Sequence, residues 1–327
     1  YDIGHGDTYV GASIGIAMYP RDGLSPSVLL QRADLAMYQA KQRGTGHACF
    51  EDEMLHAAER RFRLGGELRR ALDRGELCLH YQPQLALASG RVTGAEALIR
   101  WQHPERGLVP PGEFIGFAEE SGLIEEMGAW AVAEACRQLV AWRSAGIVID
   151  HVSVNVSPRQ FRGSDFVATV ADALASTGLA TDSLRLEITE SVLADDAAAA
   201  EQTLARLHAL GTPLELDDFG TGYSSLAYLQ RLPVETVKLD RSFIRDIATG
   251  GKARALAKAA IEMVHALDKQ VLAEGVETHE QATQLRAWRC EAIQGYLISR
   301  PVAAAQFPAA IAAAQRVAAL EEERNAA

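Results

Sequence analysis

The chain has 327 residues, enough for a large core arranged as one barrel or as two domains, and a composition of 48% hydrophobic and 23% charged residues is that of a globular protein. A formal net charge of −11 argues against a DNA or RNA polymer as partner, because affinity for these polyanions depends on Lys and Arg side chains that contact phosphates. The four cysteines form no Cys-x-x-Cys pair, which argues against structural zinc and against a disulfide framework.

Residues 1–50 predict a strand, a turn, a helix and a short strand. The run Tyr9–Tyr19 is apolar and β-prone, Ser25 is suited to cap a helix, and Gly44 is suited to end it. Because about 50 residues cannot bury a core alone, we interpret this segment as the C-terminal fragment of a larger α/β domain, and a sensor or a membrane region could lie upstream. No signal peptide is visible, and the longest apolar run is about half of the roughly 20 residues that span a bilayer. We therefore expect a cytoplasmic protein.

Residues 51–74 predict a charged, amphipathic helix that leads into the next domain. Gly65 and Gly66 lie inside this helix, and each glycine costs about 1 kcal/mol in a helix interior. Two interpretations follow. The glycines mark a helix end or a kink, or they form a hinge between modules.

From about residue 75, β-type runs alternate with amphipathic helical stretches. About eight strands in roughly 240 residues predict a closed (β/α)8 barrel over residues 75–315, followed by a C-terminal tail at 316–327. A doubly wound open sheet is the alternative, but no Gly-x-Gly-x-x-Gly motif opens a helix. The predicted strands are Cys78–Gln82, Val92–Ile99, Val152–Val156, Leu184–Ile188, Pro213–Leu216, Thr236–Leu239, Val271–Ala273 and Ala292–Tyr296. The predicted helices include Pro111–Ser121, Met127–Ala145, Asp165–Thr177, Asp195–Leu210 and Lys252–Leu267.

Polar residues occupy these apolar strands near their C-terminal ends, where barrel enzymes hold their catalytic groups. Each residue alone has an ordinary explanation, such as a rim carboxylate, a satisfied amide or a helix cap. Together, in successive strands, they indicate oxygen ligands for a hard divalent cation and a reaction at phosphorus. These residues are Glu96, Asn155, Glu187, Asp217, Asp218, Lys238, Glu274 and Gln294.

Charge balance supports the same interpretation. The ionised carboxylates of this group and of Glu277 contribute six negative charges, Lys238 and Arg100 return two positive charges, and two divalent cations would neutralise the remainder. Since the candidates include no thiolate and no histidine, the sequence favours Mg²⁺ or Mn²⁺ over zinc.

Ordered motifs along residues 67–305 resemble those of the EAL-domain cyclic di-GMP phosphodiesterases. The Glu-Ala-Leu signature lies at residues 96–98, and the other matching motifs lie at residues 81–83, 153–157, 186–190, 217–226, 238–240, 273–278 and 294–296. Residues 1–50 resemble the C-terminal part of a GGDEF (diguanylate cyclase) domain through residues 12–17 and 32–41. The Gly-Gly-Asp-Glu-Phe loop is absent from the sequence, so no cyclase activity is assigned to it.

The resemblance implies a TIM-like barrel that hydrolyses cyclic di-GMP to linear pGpG with two Mg²⁺ or Mn²⁺ ions per site. It implies that Glu96, Asn155, Glu187 and Asp217 hold one metal and that Asp217 also bridges to the second, which Asp218 helps to bind. Lys238 and Glu274 would orient or activate the attacking water, and Glu274 would also lie in the metal shell. A water held between two cations is deprotonated near neutral pH and can attack phosphorus in line.

The resemblance also assigns the surroundings of the reaction. Gln82, Leu98 and Asp240 would contact the nucleotide, Arg100 would contact a substrate phosphate, and Glu277 and Gln294 would complete the outer shell. Glu190 would stabilise the loop at residues 218–226, whose glycines permit the tight backbone that brings both aspartates to one point. In this family that loop couples the site to dimerisation, so a homodimer is expected.

Glu215 departs from the family pattern, which more often has a small or apolar residue at this position. It lies two residues before Asp217 and therefore projects to the same side of the strand. Glu215 is either a further carboxylate in the ligand shell or a buried acid paired with a base below the site.

Two other functions compete with an active phosphodiesterase. An EAL-like receptor would hold cyclic di-GMP without cutting it, and a different metal-dependent phosphoryl hydrolase would use the same ligands on another substrate. Such receptors usually lack one or more metal ligands, whereas this sequence retains all of them, which favours the enzyme.

Overall fold

The computed structural model describes residues 11–163, 166–193, 197–220 and 229–326. The chain divides into two compact units, Tyr1–Arg70 and Ala71–Ala327. The first unit contains strand β1 (Ile14–Ile16), helix α1 (Pro26–Arg43), strand β2 (His47–Cys49) and most of helix α2 (Asp52–Asp73), with β1 and β2 paired in parallel. The predicted borders of the domains stay a prediction.

Helix α1 begins and ends at the residues predicted from its capping pattern. The side chain of Ser25 accepts a hydrogen bond from the backbone N–H of Val28 at 3.4 Å, and Pro26 occupies the first helical position. Gly44 closes the helix with φ 64°, a left-handed conformation that costs glycine little. Strand β1 is shorter than the apolar run Tyr9–Tyr19, and residues 9 and 10 of that run lie outside the described residues.

Helix α2 is continuous through Gly65 and Gly66, so the glycines do not end the helix, while the predicted kink and the predicted hinge stay predictions. Leu64, Leu68 and Ala71 are buried along the helix. Burial of an apolar side chain contributes roughly 1.5–3 kcal/mol, which exceeds the cost of about 1 kcal/mol for each glycine. The packed face therefore determines the secondary structure here.

Eight of the described strands close a barrel in the second unit. Around the ring the order is β3, β11, β10, β9, β8, β7, β6, β4 and back to β3, and short strands β12 and β5 extend its edges. Their bounds are β3 Leu77–Ala86, β4 Val92–His103, β5 Gly107–Val109, β6 His151–Val156, β7 Leu184–Thr189, β8 Leu214–Phe219, β9 Thr236–Leu239, β10 Gln270–Ala273, β11 Ala292–Ile293 and β12 Val302–Ala303. The predicted closed (β/α)8-type barrel is confirmed.

Helices surround the barrel between most of these strands. They are α3 Ile115–Ser121, α4 Leu123–Ser144, α5 Pro158–Gly163, α6 Phe166–Thr177, α7 Ala197–Leu210, α8 Arg241–Ile244, α9 Gly251–His265, α10 His279–Ala287 and α11 Phe307–Ala326. Short 3₁₀ turns lie at Pro111–Glu113, Thr181–Ser183, Glu190–Leu193, Ile247–Thr249 and Ala304–Gln306. Within the described ranges, no helix combines the length and apolarity that crossing a bilayer requires.

The first barrel strand differs from a regular β/α alternation. Strand β3 runs antiparallel to both of its barrel neighbours, β4 and β11, while the other barrel pairings are parallel. A tight connection joins β3 to β4, where Ala86 N–H donates to the Arg91 carbonyl at 2.9 Å. A hairpin leaves no room for a crossover helix, which is why the sequence between these two runs has no helical periodicity.

The two faces of the barrel strands differ in chemistry. Residues that face outward, such as Val154, Leu186 and Leu216, belong to one large apolar core shared with the helices. Residues that face inward form two polar layers, because side chains alternate across each strand. The upper layer, nearer the carboxyl ends of the parallel strands, contains Gln82, Glu96, Asn155, Glu187, Asp217, Lys238 and Gln294, and the lower layer contains Gln84, Ser153, Arg185, Glu215 and Thr236.

A buried histidine belongs to the lower end of this interior. The ring of His151 fits against Gly94, where a Cβ would collide with it. Its Nε2 lies 2.9 Å from Gln84 Oε1, and Gln84 Nε2 donates to Ser153 Oγ at 3.2 Å. His151 Nε2 is therefore the donor of a neutral ring. Burial, and then the nearby charges of Arg185 and Arg143, hold the pKa of His151 well below its ordinary value of 6.5.

We expect the free energy of unfolding to fall as the pH decreases below about 6.5, by up to about 1.4 kcal/mol per pH unit from His151 alone. In this window the unfolded chain binds a proton that the native ring does not bind. Urea unfolding at pH 7.5, 6.5 and 5.5 measures the slope, and His151→Gln should reduce it. His208→Gln, which removes an exposed histidine, is the control. Equal slopes for the wild type and His151→Gln would contradict this assignment.

Candidate active site

The upper layer opens into a cleft at the carboxyl ends of the parallel strands. The cleft has a volume of about 250 Å³. Its lining residues are Gln82, Glu96, Leu98, Asp217, Asp240, Arg241, Glu274, Gly275, Glu277, Gln294, Gly295 and Tyr296. Most of the predicted site residues therefore meet at one place in the fold.

Lys238 lies at the centre of the acidic residues and is fully buried, with 0% of its side chain exposed. Its Nζ is 2.6 Å from Glu187 Oε2, 2.8 Å from Glu274 Oε1 and 3.1 Å from Asp217 Oδ1. Glu96 Oε2 is farther away, at 3.7 Å. An unpaired ammonium group would be costly at this depth, so these carboxylates are what allow Lys238 to stay charged.

Glu96 is fixed by two amide side chains. Asn155 Nδ2 donates to Glu96 Oε1 at 2.7 Å, and Gln294 Nε2 donates to Glu96 Oε2. Gln294 also donates to Gln82 Oε1 at 3.1 Å, and Gln82 donates to the Ser299 carbonyl at 2.9 Å. The chain of hydrogen bonds fixes the direction of the Glu96 carboxylate.

Two expectations about strand ends are wrong. Glu96 lies inside β4 rather than near its end, because β4 continues to His103 through its pairing with β3 and β5. The last predicted strand is also shorter than Ala292–Tyr296: β11 ends at Ile293, and Gln294 follows it. Gln294 nonetheless reaches Glu96, since its backbone N–H donates to the Ala273 carbonyl at 2.9 Å and holds it beside β10.

An irregularity in β8 explains how two adjacent aspartates serve one site. Successive residues of a regular strand point to opposite faces, but the register of β8 against β9 shifts between Leu216 and Phe219. Asp218 has φ 53°, in the left-handed region that Asp tolerates better than most residues. One carboxylate oxygen each from Asp217, Asp218 and Glu274 then lie within 4.8 Å of one another.

This group of oxygens fits a hard divalent cation. Carboxylate and amide oxygens are the ligands that Mg²⁺, Mn²⁺ and Ca²⁺ prefer. The buried Glu187 Oε1 accepts no hydrogen bond from an N–H or O–H group of the described residues, and so has an oxygen available to a cation. Lys238 supplies one positive charge to five surrounding carboxylates, which leaves a surplus of negative charge at the site.

The surplus of negative charge shifts the pKa values of the acidic side chains when no metal ion is bound. Burial, and then the charge of Glu96, raise the pKa of Glu187 well above its usual 4.5. Burial raises the pKa of Glu274 to about 8, although Lys238 opposes the change. Burial and Asp217 raise the pKa of Asp218. Burial would lower the pKa of Lys238, but the carboxylates of Glu187, Glu274, Glu96 and Asp217 raise it well above 10.5. The carboxylates therefore require more positive charge than Lys238 alone provides.

The rim of the cleft contains the remaining candidates for substrate contact. Leu98 and Glu277 line the cleft directly. Asp240 caps helix α8, where its Oδ1 accepts a hydrogen bond from Ser242 N–H at 2.9 Å. Partial burial opposes ionisation, but hydrogen bonds from the side chain and backbone of Ser242, and then the backbone and charge of Arg241, lower the pKa of Asp240. Arg100 is not among the lining residues. Its Nη1 donates to the Ile99 carbonyl at 2.8 Å, on the same side of β4 as Glu96 and Leu98.

Glu190 contacts the segment that follows β8. Its Oε1 accepts a hydrogen bond from Gly220 N–H at 3.1 Å, directly after the two aspartates. The rest of the loop at residues 221–228, which Glu190 was predicted to stabilise, lies outside the described residues.

Glu215 belongs to the lower layer and pairs with a base. Its Oε1 lies 2.8 Å from Arg185 Nη1. Of the two interpretations of Glu215, the structure therefore has the buried acid paired below the site.

Sequence reasoning assigned no role to four of the residues that line the cleft, which are Arg241, Gly275, Gly295 and Tyr296. Tyr296 is half exposed at the rim, with Arg300 stacked 4.0 Å from its ring centroid, and Arg241 follows Asp240 directly. Their position next to predicted contacts was the only signal. Gly295 has a clear role, since a Cβ there would collide with the backbone of Val276 and push this segment away from β10.

Comparison with known proteins places this geometry in a family. The protein-family model described as "EAL domain" matches residues 66–301, and the family model described as "Diguanylate cyclase, GGDEF domain" matches residues 1–47. The chain is 42% identical over 313 residues to the "Bifunctional diguanylate cyclase/cyclic di-GMP phosphodiesterase MucR" of Pseudomonas aeruginosa, a match that covers 95% of this chain and 46% of that protein.

Further relatives agree. The chain is 44% identical over 292 residues to the "Cyclic di-GMP phosphodiesterase NbdA" of Pseudomonas aeruginosa, covering 89% of this chain and 37% of that protein. A solved structure titled "PaMucR Phosphodiesterase, c-di-GMP complex" superposes with a TM-score of 0.71 at 42% identity, covering 75% of this chain and 99% of that one. The chain thus spans less than half the length of these two curated relatives.

Proposed function

Because the chain belongs to the EAL-domain family, we propose that it is a metal-dependent phosphodiesterase that hydrolyses cyclic di-GMP to linear pGpG. The observation that carries this proposal is the convergence of Asp217, Asp218 and Glu274 within 4.8 Å, beside the buried ammonium group of Lys238. EAL phosphodiesterases are metal-dependent, and relatives of this chain are named for the same substrate.

Two Mg²⁺ or Mn²⁺ ions are the proposed cofactors. Glu96, Asn155, Glu187 and Asp217 would hold one ion, and Asp217, Asp218 and Glu274 the other. When bound, such ions supply Lewis acidity and lower the pKa of water. The all-oxygen donor set and the surplus of negative charge support this assignment.

The residues of the chain then divide the work of the reaction. Glu274 is suited to accept the proton of the attacking water, since its carboxylate lines the cleft and has an oxygen within 4.8 Å of oxygens of Asp217 and Asp218. Lys238 holds Glu274 in place through the 2.8 Å contact of its ammonium group. Its positive charge also offsets the charge that develops on the phosphoryl oxygens in the transition state.

The rim residues would bind the substrate around these groups. Gln82, Leu98 and Asp240 would contact the nucleotide, with Gln82 oriented by its bond to the Ser299 carbonyl. Arg100 would bind a phosphate, because it already shares a strand face with Glu96. Glu277 and Gln294 would complete the wall of the cleft.

Product analysis tests the proposed function. The full chain is incubated with cyclic di-GMP and Mg²⁺, and the nucleotides are separated by chromatography. Formation of pGpG is the expected result. Retention of intact cyclic di-GMP on the protein would instead support a receptor, and turnover of other phosphodiesters alone would indicate a different hydrolase.

Replacing Mg²⁺ by Ca²⁺ is expected to inhibit turnover. Ca²⁺ takes more ligands at longer distances in a looser shell, whereas Mg²⁺ requires near-octahedral geometry. The rate of pGpG formation is measured with each ion at equal concentration, and with Ca²⁺ added to the Mg²⁺ reaction. Equal rates with the two ions would contradict the role assigned to these carboxylates.

A homodimer formed through the barrel is a further part of the proposal. Sedimentation of the chain over a range of concentrations measures its oligomeric state. A single monomeric species at all concentrations would exclude the dimer.

A further inference from the structure

We propose that the Arg185–Glu215 pair of the lower layer sets the affinity of the upper layer for its divalent cations. This inference rests on the proposed function, since it concerns the same metal site. It assigns a role to a buried charge that the reaction itself does not use.

The pair lies directly beneath two of the proposed ligands. Arg185 precedes Glu187 by two residues on β7, and Glu215 precedes Asp217 by two residues on β8. Residues two apart on a strand project to the same face about 7 Å apart. Glu187 and Glu215 are also direct partners in the register of β7 against β8. Arg185 is therefore one step below Glu187, and Glu215 is one step below Asp217 and beside Glu187.

The two charges are not equally screened by solvent. Only 1% of the Glu215 side chain is exposed, while 23% of the Arg185 side chain is exposed. Arg185 and Glu215 both line a second cavity of about 220 Å³ at the opposite end of the barrel. The Arg185 side chain is thus partly solvated there, although its Nε is buried and has no acceptor among the described residues, whereas the carboxylate of Glu215 is almost fully buried.

The field of the pair at the upper layer is consequently negative. A buried charge acts through a lower effective dielectric than a partly solvated one. Glu215 Oε2 also accepts no hydrogen bond from the described residues, so half of its carboxylate is compensated by no donor. A negative field below Asp217 and Glu187 favours cations above them and disfavours the empty site.

The opposing charge of Arg185 limits this effect. Without it, Glu215 would be an unpaired buried carboxylate beside Glu187, which is costly. The pair therefore allows an additional negative charge to lie under the ligands while the fold stays intact. A purely structural salt bridge would affect stability alone, whereas this arrangement predicts changes in metal affinity that follow the sign of each charge.

Calorimetric titration of the EDTA-treated full chain with Mn²⁺ tests the inference. Glu215→Gln removes the negative charge at nearly constant shape, and we expect its Kd for Mn²⁺ to rise roughly tenfold. Arg185→Met removes the positive charge and should lower the Kd by a smaller factor. The double variant should bind Mn²⁺ more weakly than the wild type but more tightly than Glu215→Gln, because the net negative field of the pair is lost while the unopposed positive charge of Arg185 is removed as well. Glu235→Gln, which removes an exposed carboxylate at the start of β9, is the matched control.

The outcomes separate this inference from the proposed function. If the wild type binds no Mn²⁺, the metal site itself is wrong. If the wild type binds and folded Glu215→Gln binds equally well, the inference is overturned and the proposed function stands. Should Glu215→Gln be insoluble, Arg185→Met decides, because an unchanged or raised Kd in that variant would also overturn it. A double variant that stays tenfold weaker would do the same.

Discussion

Replacing Glu96 by Gln is expected to lower kcat by about 1,000-fold, which corresponds to roughly 4 kcal/mol of transition-state stabilisation. Both oxygens of Glu96 accept hydrogen bonds from amide groups, one from Asn155 and one from Gln294. A Gln side chain would place an NH₂ group against one of these donors and would remove a negative charge from the proposed metal site. The fold should persist, because the shape is retained and the apolar core is formed by the outward faces of the strands and by the helices, away from Glu96.

The measurement is pGpG formation at saturating Mg²⁺, with circular dichroism to verify folding. Glu113→Gln is the control, since Glu113 lies in an exposed pair with Arg106 and such pairs contribute little. Turnover of Glu96→Gln within tenfold of the wild type would exclude Glu96 as a metal ligand.

Replacing Lys238 by Met is expected to have two separable effects. In EDTA, the free energy of unfolding should fall by about 3–5 kcal/mol, because Glu187, Glu274 and Asp217 would lose the buried ammonium group with which all three pair. Turnover should also be lost, since the ammonium group no longer orients Glu274. Added Mg²⁺ should raise the Tm of the variant more than that of the wild type, because a bound cation replaces part of the missing charge.

Thermal and urea unfolding in EDTA and in Mg²⁺ measure the first effect, and product formation measures the second. Lys258→Met is the control, because Lys258 is exposed and pairs with Glu262 on the surface of α9 at 3.5 Å. If Lys238→Met in EDTA is as stable as the wild type, the carboxylates do not depend on this ammonium group.

The sequence predicted most of the fold because its periodicity and its site residues pointed the same way. Strands such as Thr236–Leu239 and helices such as Phe166–Thr177 match the predicted runs closely. The family resemblance is confirmed by the EAL match over residues 66–301. The individual roles of the site residues stay predictions, but eight of the fourteen line one cleft, and Asn155, Glu187 and Lys238 contact residues that line it.

The differences arise where tertiary contacts determine the outcome. The antiparallel direction of β3 follows from a hairpin whose turn contains Ser89-Gly90, with Gly90 at φ 63°, a turn signal that the prediction of a regular β/α alternation did not use. The resemblance attributes the convergence of Asp217 and Asp218 to loop glycines, whereas the structure adds a register shift and a positive φ at Asp218 itself. Helix α2 continues through Gly65 and Gly66 because apolar side chains such as Leu64 and Leu68 are buried along it. Propensity and spacing alone could not reveal the register shift in β8 or the continuity of α2.

The polar interior has a consequence for how such a barrel forms and changes. In many barrels of this type the inside is filled by branched apolar side chains, but here acids, amides, a lysine and an arginine occupy it. Collapse of the polypeptide must then be driven by the strand faces that meet the helices, with residues such as Val154 and Leu186. The inward face of the strands holds the polar residues of the site, and the outward face belongs to the apolar core. Substitutions on the inward face can therefore change the reaction while the core stays intact.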